Sequence, residues 1–179
     1  MRLVISHVLQ SELIHHAKSS YPYEVCGLLA GRGEHILRVI PTENHAPDTQ
    51  RGFFISTQDL NIHLPQIRAE GLSLIGFYHS HPDAPAIPSP TDVRELDNGL
   101  QLPHVVVSIG HHQVHIKAWM IHHGQVEPIE WVIGNDVPIT PDAPTTSAQR
   151  IAFLLSIGIS LILLLIIALT LLPPAPKLP

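Results

Sequence analysis

The chain has 179 residues and a formal net charge of −5, with 45% of its residues apolar and 14% charged. That length suits one domain of ~100–150 residues with an appendage better than two full domains, and an acidic balance with no basic stripe excludes nucleic acid as a partner. The lone cysteine, Cys26, cannot form an internal disulfide, which suits a reducing compartment.

In chain order, residues 3–5 read as a short strand, and Ser6 as the cap of a helix that turns Val8, Leu9, Leu13 and Ile14 toward a core; Tyr21-Pro22 stops it. The apolar run 25–30, the turn Gly31-Arg32-Gly33 and the run 36–40 read together as a hairpin. A further strand is expected at 53–55. Ser56 or Thr57 then starts a helix through Leu60, Ile67 and Ala69, in which Pro65 predicts a kink or a late start, and Gly71 closes it. Residues 72–79 read as a buried strand, 82–90 as a proline-rich connection, 91–97 as a short helix, and 105–109, 114–121 and 126–133 as three closing strands. Helices interspersed with these strands predict an α+β fold over residues 1–134, a mixed, mainly antiparallel sheet packed by helices. There is no internal repeat and no glycine-rich phosphate loop.

Residues 135–150, rich in Pro, Thr, Asp and Ala, read as a flexible linker. Residues 151–172 contain no charged side chain, and as a helix they would extend ~33 Å against a hydrocarbon core of ~30 Å. A single transmembrane helix is expected there, followed by a short tail at 173–179. The N-terminus has no long apolar run or cleavage site of a secretory signal, so the layout predicts a single-pass, tail-anchored membrane protein with its large domain on the cytoplasmic side. Arg150 and Lys177 flank the stretch on opposite sides, so charge asymmetry does not orient it.

Histidine is over-represented, at 14 residues. The adjacent pairs His15-His16, His111-His112 and His122-His123 point in divergent directions on a helix or strand and read as surface residues. Trp119 and Trp131 read as core or surface aromatics, and Cys26, within an apolar run, as a small packed hydrophobe. The chemistry concentrates in Gly76-Phe77-Tyr78-His79-Ser80-His81-Pro82 and the following Ser89-Pro90-Thr91-Asp92. Residues two apart on a strand share a face, so His79 and His81 present both imidazoles together. Asp92, opening the next helix, can fold back as a third ligand; two imidazoles and a carboxylate with one open position are the ligand set of a catalytic rather than a structural zinc site. Asp83 is a competing ligand, and Ser89 and Asp92 also suit plain helix capping.

These residues resemble the JAMM (MPN-plus) metallopeptidase family: His-Ser-His at 79–81, then Ser89 after seven residues, then Asp92, with an upstream Glu24 inside Tyr21-Pro22-Tyr23-Glu24-Val25-Cys26-Gly27-Leu28-Leu29-Ala30-Gly31. The resemblance covers about the first 130 residues and implies a JAMM/MPN, cytidine-deaminase-like fold. It implies one zinc ion held by His79, His81 and Asp92 with water as fourth ligand, Glu24 as general base and then acid, and Ser89 as donor to the oxyanion. It also implies a protein substrate, with a peptide or isopeptide bond cut at the C-terminus of a ubiquitin-like or sulfur-carrier protein. Two other readings stay open: a metal-free MPN-type scaffold at the membrane, and zinc hydrolysis of a small amide.

Overall fold

The computed structural model describes residues 1–96, 101–110 and 113–134, together with position 155. Its elements are β1 (Arg2–Ser6), α1 (His7–Ser19), β2 (Cys26–Arg32), β3 (His35–Thr42), α2 (Thr57–Ala69), β4 (Ser73–His81), α3 (Pro90–Leu96), β5 (His104–Ser108), β6 (His115–His122) and β7 (Gln125–Gly134). The strands run in the order β1-β3-β2-β4-β5-β6-β7 and close, because β1 also pairs with β7. The mixed sheet is therefore a barrel, which the sequence reading did not include. Its antiparallel majority is narrow: four antiparallel pairs stand against three parallel ones, β1–β3, β1–β7 and β4–β5.

Strand alternation sorts the side chains of β2 and β4 onto two faces. Leu29 and Tyr78 face one cluster with Leu13 and Ala17 of α1 and with Val105 and Val107 of β5. Leu28, Ala30 and Phe77 face the other, against Ile67 of α2 with Leu60 and Leu64 packed beside it. Gly27 is required between them: a Cβ there would collide with the Tyr78 ring and the carbonyl of Ile40.

Local signals set the helix ends. Ser6 caps α1 by accepting from Leu9 N at 3.2 Å, and Ser56 and Asp59 form a reciprocal capping box on α2. Gly71 closes α2 at a φ of 68°, a left-handed conformation suited to glycine. Two local expectations need correction, and one alternative for α2 drops out. Val8 is 57% exposed, because the buried stripe of α1 follows Leu9, Leu13 and Ala17 at helical spacing and Val8 falls off it. Helix α2 starts at Thr57 and runs through Pro65, with no late start. Residues 53–55 form no strand: Phe54 N donates to the Asn44 side chain and Phe54 O accepts from His45 N, so their backbone bonds are local. Of the surface histidines, His16 is half-buried, with Nδ1 2.8 Å from the Tyr78 hydroxyl.

The linker 135–150, the span 151–172 apart from position 155, the tail 173–179, the His111-His112 pair and the last residue of the predicted helix 91–97 lie outside the described residues. Among the described residues no helix is long and apolar enough to cross a membrane.

Candidate active site

The site forms where two distant segments pair. Cys26 of β2 lies opposite His79 of β4 in antiparallel register, so continuing the ladder outward puts Val25 against Ser80, confirmed by a 2.9 Å bond from Ser80 N to Val25 O, and Glu24 against His81. By alternation Glu24 and Cys26 share the face of His79 and His81. Ser80, pointing the opposite way and fully buried, accepts from Val25 N at 2.9 Å and clamps the strand next to Glu24.

Helix α3 supplies the carboxylate. Ser89 caps it, Pro90 takes the first helical position and Asp92 the third. Asp92 N donates to Ser89 Oγ at 3.1 Å, and Ser89 N donates to Asp92 Oδ2 at 2.6 Å. Capping and ligation are therefore compatible uses of the same residues. Asp92 Oδ2 also lies 3.4 Å from His79 Nε2 and 3.3 Å from His81 Nε2, and the two imidazole nitrogens are 3.2 Å apart.

Three ligand atoms bound at ~2.0–2.1 Å to a tetrahedral zinc would be ~3.3–3.4 Å apart. The three separations match that edge length, all three residues are buried, and two imidazoles with one carboxylate leave one of four positions open. The donor set fits zinc. Asp83 does not join it; its carboxylate accepts from the Tyr21 hydroxyl at 3.3 and 3.4 Å.

Electrostatics fit the same use. Burial lowers the pKa of His79, favouring the neutral ring a metal needs, despite the opposing pull of Asp92. Burial would also lower His81, but its bonds to Asp92 and to the Pro85 carbonyl prevail and raise it. His81 Nδ1 lies 2.8 Å from Pro85 O, which directs the lone pair of the neutral tautomer to Nε2, toward the cluster. Burial acts to raise the Asp92 carboxyl, yet hydrogen bonds from both histidines and Ser89 N hold it well below its ordinary value. Glu24 is 8% exposed, with a buried Oε2 that has no partner. Burial pushes its pKa up to about 7; His81 opposes this, and Asp92 and Asp48 add to it. Glu24, His81 and Ser89 line an open cleft, with Arg51 and Asp83 also on its wall.

The family model for prokaryotic homologs of the JAB domain matches residues 6–122, which include every residue of this site. The chain belongs to that family. It is 34% identical over 123 residues to a Thermus thermophilus protein named "Probable TtuB-protein conjugate cleaving protease", covering 69% of this chain and 78% of the relative. It is 30% identical over 97 residues to the desampylase of Haloferax volcanii, covering 51% and 70%. The solution structure of a Desulfitobacterium hafniense protein superposes with a TM-score of 0.71 at 25% identity, covering 79% of this chain and 99% of that one.

This JAB domain also uses residues that the sequence reading passed over. Three successive carbonyls of the β4–α3 connection are fixed: Ala84 O by Ser108 Oγ at 2.7 Å, Pro85 O by His81 Nδ1 at 2.8 Å and Ala86 O by Trp119 Nε1 at 3.0 Å. Trp119 is thus more than a packing aromatic. Phe53 stacks on the His79 ring with centroids 4.1 Å apart and planes at 17°. Ser80 had a readable signal, since a serine between two inward-facing residues must point into the opposite core and find a partner there. The partners of Trp119 and Phe53 come from other elements, and no local pattern encodes them. Cys26 matches its reading: it is fully buried, and burial raises its thiol to about 11.

Proposed function

We propose that this chain is a zinc-dependent peptidase or isopeptidase that cuts the peptide or isopeptide bond at the C-terminus of a ubiquitin-like or sulfur-carrier protein. The observation that carries the chemistry is the convergence of His79 Nε2, His81 Nε2 and Asp92 Oδ2 within 3.4 Å of one another, beside the buried carboxylate of Glu24. The substrate class is supported by the name of the Thermus relative, which describes cleavage of a TtuB-protein conjugate, alongside the Haloferax relative named as a desampylase.

His79, His81 and Asp92 would hold the metal, with Pro85 O and Ser89 N keeping two of these ligands in orientation. Zinc, when bound, supplies Lewis acidity that activates water and polarises a carbonyl. Glu24, on the wall of the cleft with His81 and Ser89, is suited to take a proton and return it to the leaving amine. Ser89 Oγ accepts from Asp92 N, so its hydroxyl hydrogen is free to donate to the carbonyl oxygen as negative charge develops there.

The test is elemental analysis of the full chain together with cleavage of ubiquitin-like C-terminal fusions, with and without chelator. About one zinc per chain is expected, with chelator-sensitive cleavage. Glu24→Gln should keep its zinc and lose ~100-fold or more in turnover, whereas His79→Ala should lose both. A folded protein that takes up no zinc when supplied with it would sink this reading in favour of the scaffold. The proposal extends to location: the uncharged stretch 151–172 supports a membrane tether for the JAB domain, and recovery of the full chain in the soluble fraction after lysis would overturn that part.

A further inference from the structure

The segment 43–56 between β3 and α2 joins no strand ladder, yet one side chain ties it down. Asn44 Nδ2 donates to Glu24 O at 2.9 Å and to Gly52 O at 3.0 Å, while its Oδ1 accepts from Ala46 N at 3.0 Å and Phe54 N at 3.1 Å. A carboxamide has two donor hydrogens and two acceptor lone pairs, so its whole capacity is used. Two carbonyls on one side and two N–H groups on the other permit only this orientation of the amide.

The same segment holds Glu24 from its other end. Glu24 N donates to Thr49 O at 2.7 Å. Glu24 precedes the first residue of β2, so both of its backbone groups are satisfied by this loop instead of a strand. At the end of the loop, Phe53 is 5% exposed and stacks on the His79 ring. One excursion of chain therefore touches the backbone of the proton carrier and the ring of a ligand.

We propose that Asn44 is a positioning residue: it closes the 44–54 loop around the backbone of Glu24 and so aims the Glu24 carboxylate and, through Phe53, the His79 ring. This rests on the assignment of Glu24 as proton carrier made above. Removing the amide leaves Glu24 O, Gly52 O, Ala46 N and Phe54 N without this partner, and the loop then rearranges to satisfy them. A displacement of ~1 Å at a reacting group can cost ~100-fold in rate, so the effect should appear in kcat. Asn44→Asp is the sharper probe. It keeps an acceptor for Ala46 N and Phe54 N but turns a second oxygen toward the two carbonyls.

The experiment compares full-length wild type, Asn44→Ala, Asn44→Asp and a control, Ile129→Val, which trims the core on β7 away from the loop. In zinc-free protein, amide hydrogen exchange should speed up by about tenfold or more at Glu24 in both Asn44 variants and at Phe54 in Asn44→Ala, and stay unchanged in the control. In zinc-loaded protein, kcat on a ubiquitin-like C-terminal fusion should fall about 10- to 100-fold with KM within about threefold and zinc content retained. Should Asn44→Ala fail to fold, Asn44→Asp decides alone. Unchanged exchange at Glu24 overturns the inference whether or not the protein hydrolyses anything, and so does a kcat no lower than that of Ile129→Val. A zinc-loaded wild type that cuts nothing overturns the functional reading instead, while the exchange still reports whether Asn44 holds Glu24.

Discussion

Asp92 Oδ2 accepts from Ser89 N while facing two imidazoles, so one oxygen serves both helix capping and the ligand cluster. In the absence of metal its charge contributes to the raised pKa of His81, and zinc must displace that proton to bind. Zinc affinity should therefore fall as pH drops below the raised pKa of His81, by about tenfold per pH unit for each proton displaced. Competition against a chromophoric chelator between pH 5 and 8 measures this, and a pH-independent affinity would contradict it. Ser89 is similarly double. Ser89→Ala should lose about 1 kcal/mol of stability with the cap and about 100-fold in kcat with the donor, and Ser89→Thr should recover both. Loss of stability alone would leave Ser89 a cap and nothing more.

At the scale of elements, a strand end, a helix start and the connection between them form the site, and the connection is held by bonds from β5 and β6. Trp119→Phe keeps a six-membered aromatic ring and removes the donor to Ala86 O together with the pyrrole part of the indole. It should weaken zinc binding about fivefold, as expected for one hydrogen bond of ~1 kcal/mol, measurable by the same chelator competition; an unchanged affinity would mean that Ser108 and His81 suffice to hold the connection. What was legible in the sequence follows the range of each interaction. His79 and His81 follow from period-two alternation and Asp92 from its place at the start of the next helix, all within a short stretch of chain, whereas Ser89 as a donor follows only from the family resemblance. Glu24 was reached through resemblance to a family motif, because its position across from His81 depends on the β2–β4 register, which no local pattern specifies. The false strand at 53–55 has the same origin: Phe53 and Ile55 alternate about Phe54 as a strand would, but their apolar side chains serve His79 and the α2 cluster. Barrel closure joins the first strand to the last and is likewise invisible to a local reading.

For the molecule as a whole, two buried groups set opposing pH demands on the metal-free fold. His104 is 2% exposed and burial lowers its pKa to about 3. Its folded value lies below the unfolded one, so its contribution to stability is present above pH ~6.5 and is lost as pH falls toward its folded pKa. Glu24 has the reverse sign. Its pKa rises from 4.5 to about 7 on folding, so the fold is favoured while Glu24 stays protonated and loses that advantage as pH rises through this interval. Glu24→Gln removes the second demand and leaves the first. In zinc-free protein the variant should match wild type near pH 4.5 and become progressively more stable up to pH 7, levelling off at about 2 kcal/mol, since water in the cleft reduces the full shift. Chemical denaturation at a series of pH values reads the difference directly, and a gain that is constant with pH would show that Glu24 does not titrate in that interval. The expected cost of the native carboxylate, present only at the pH where it can act as a base, is the stability that the proton-carrying role proposed for Glu24 would require the fold to forgo.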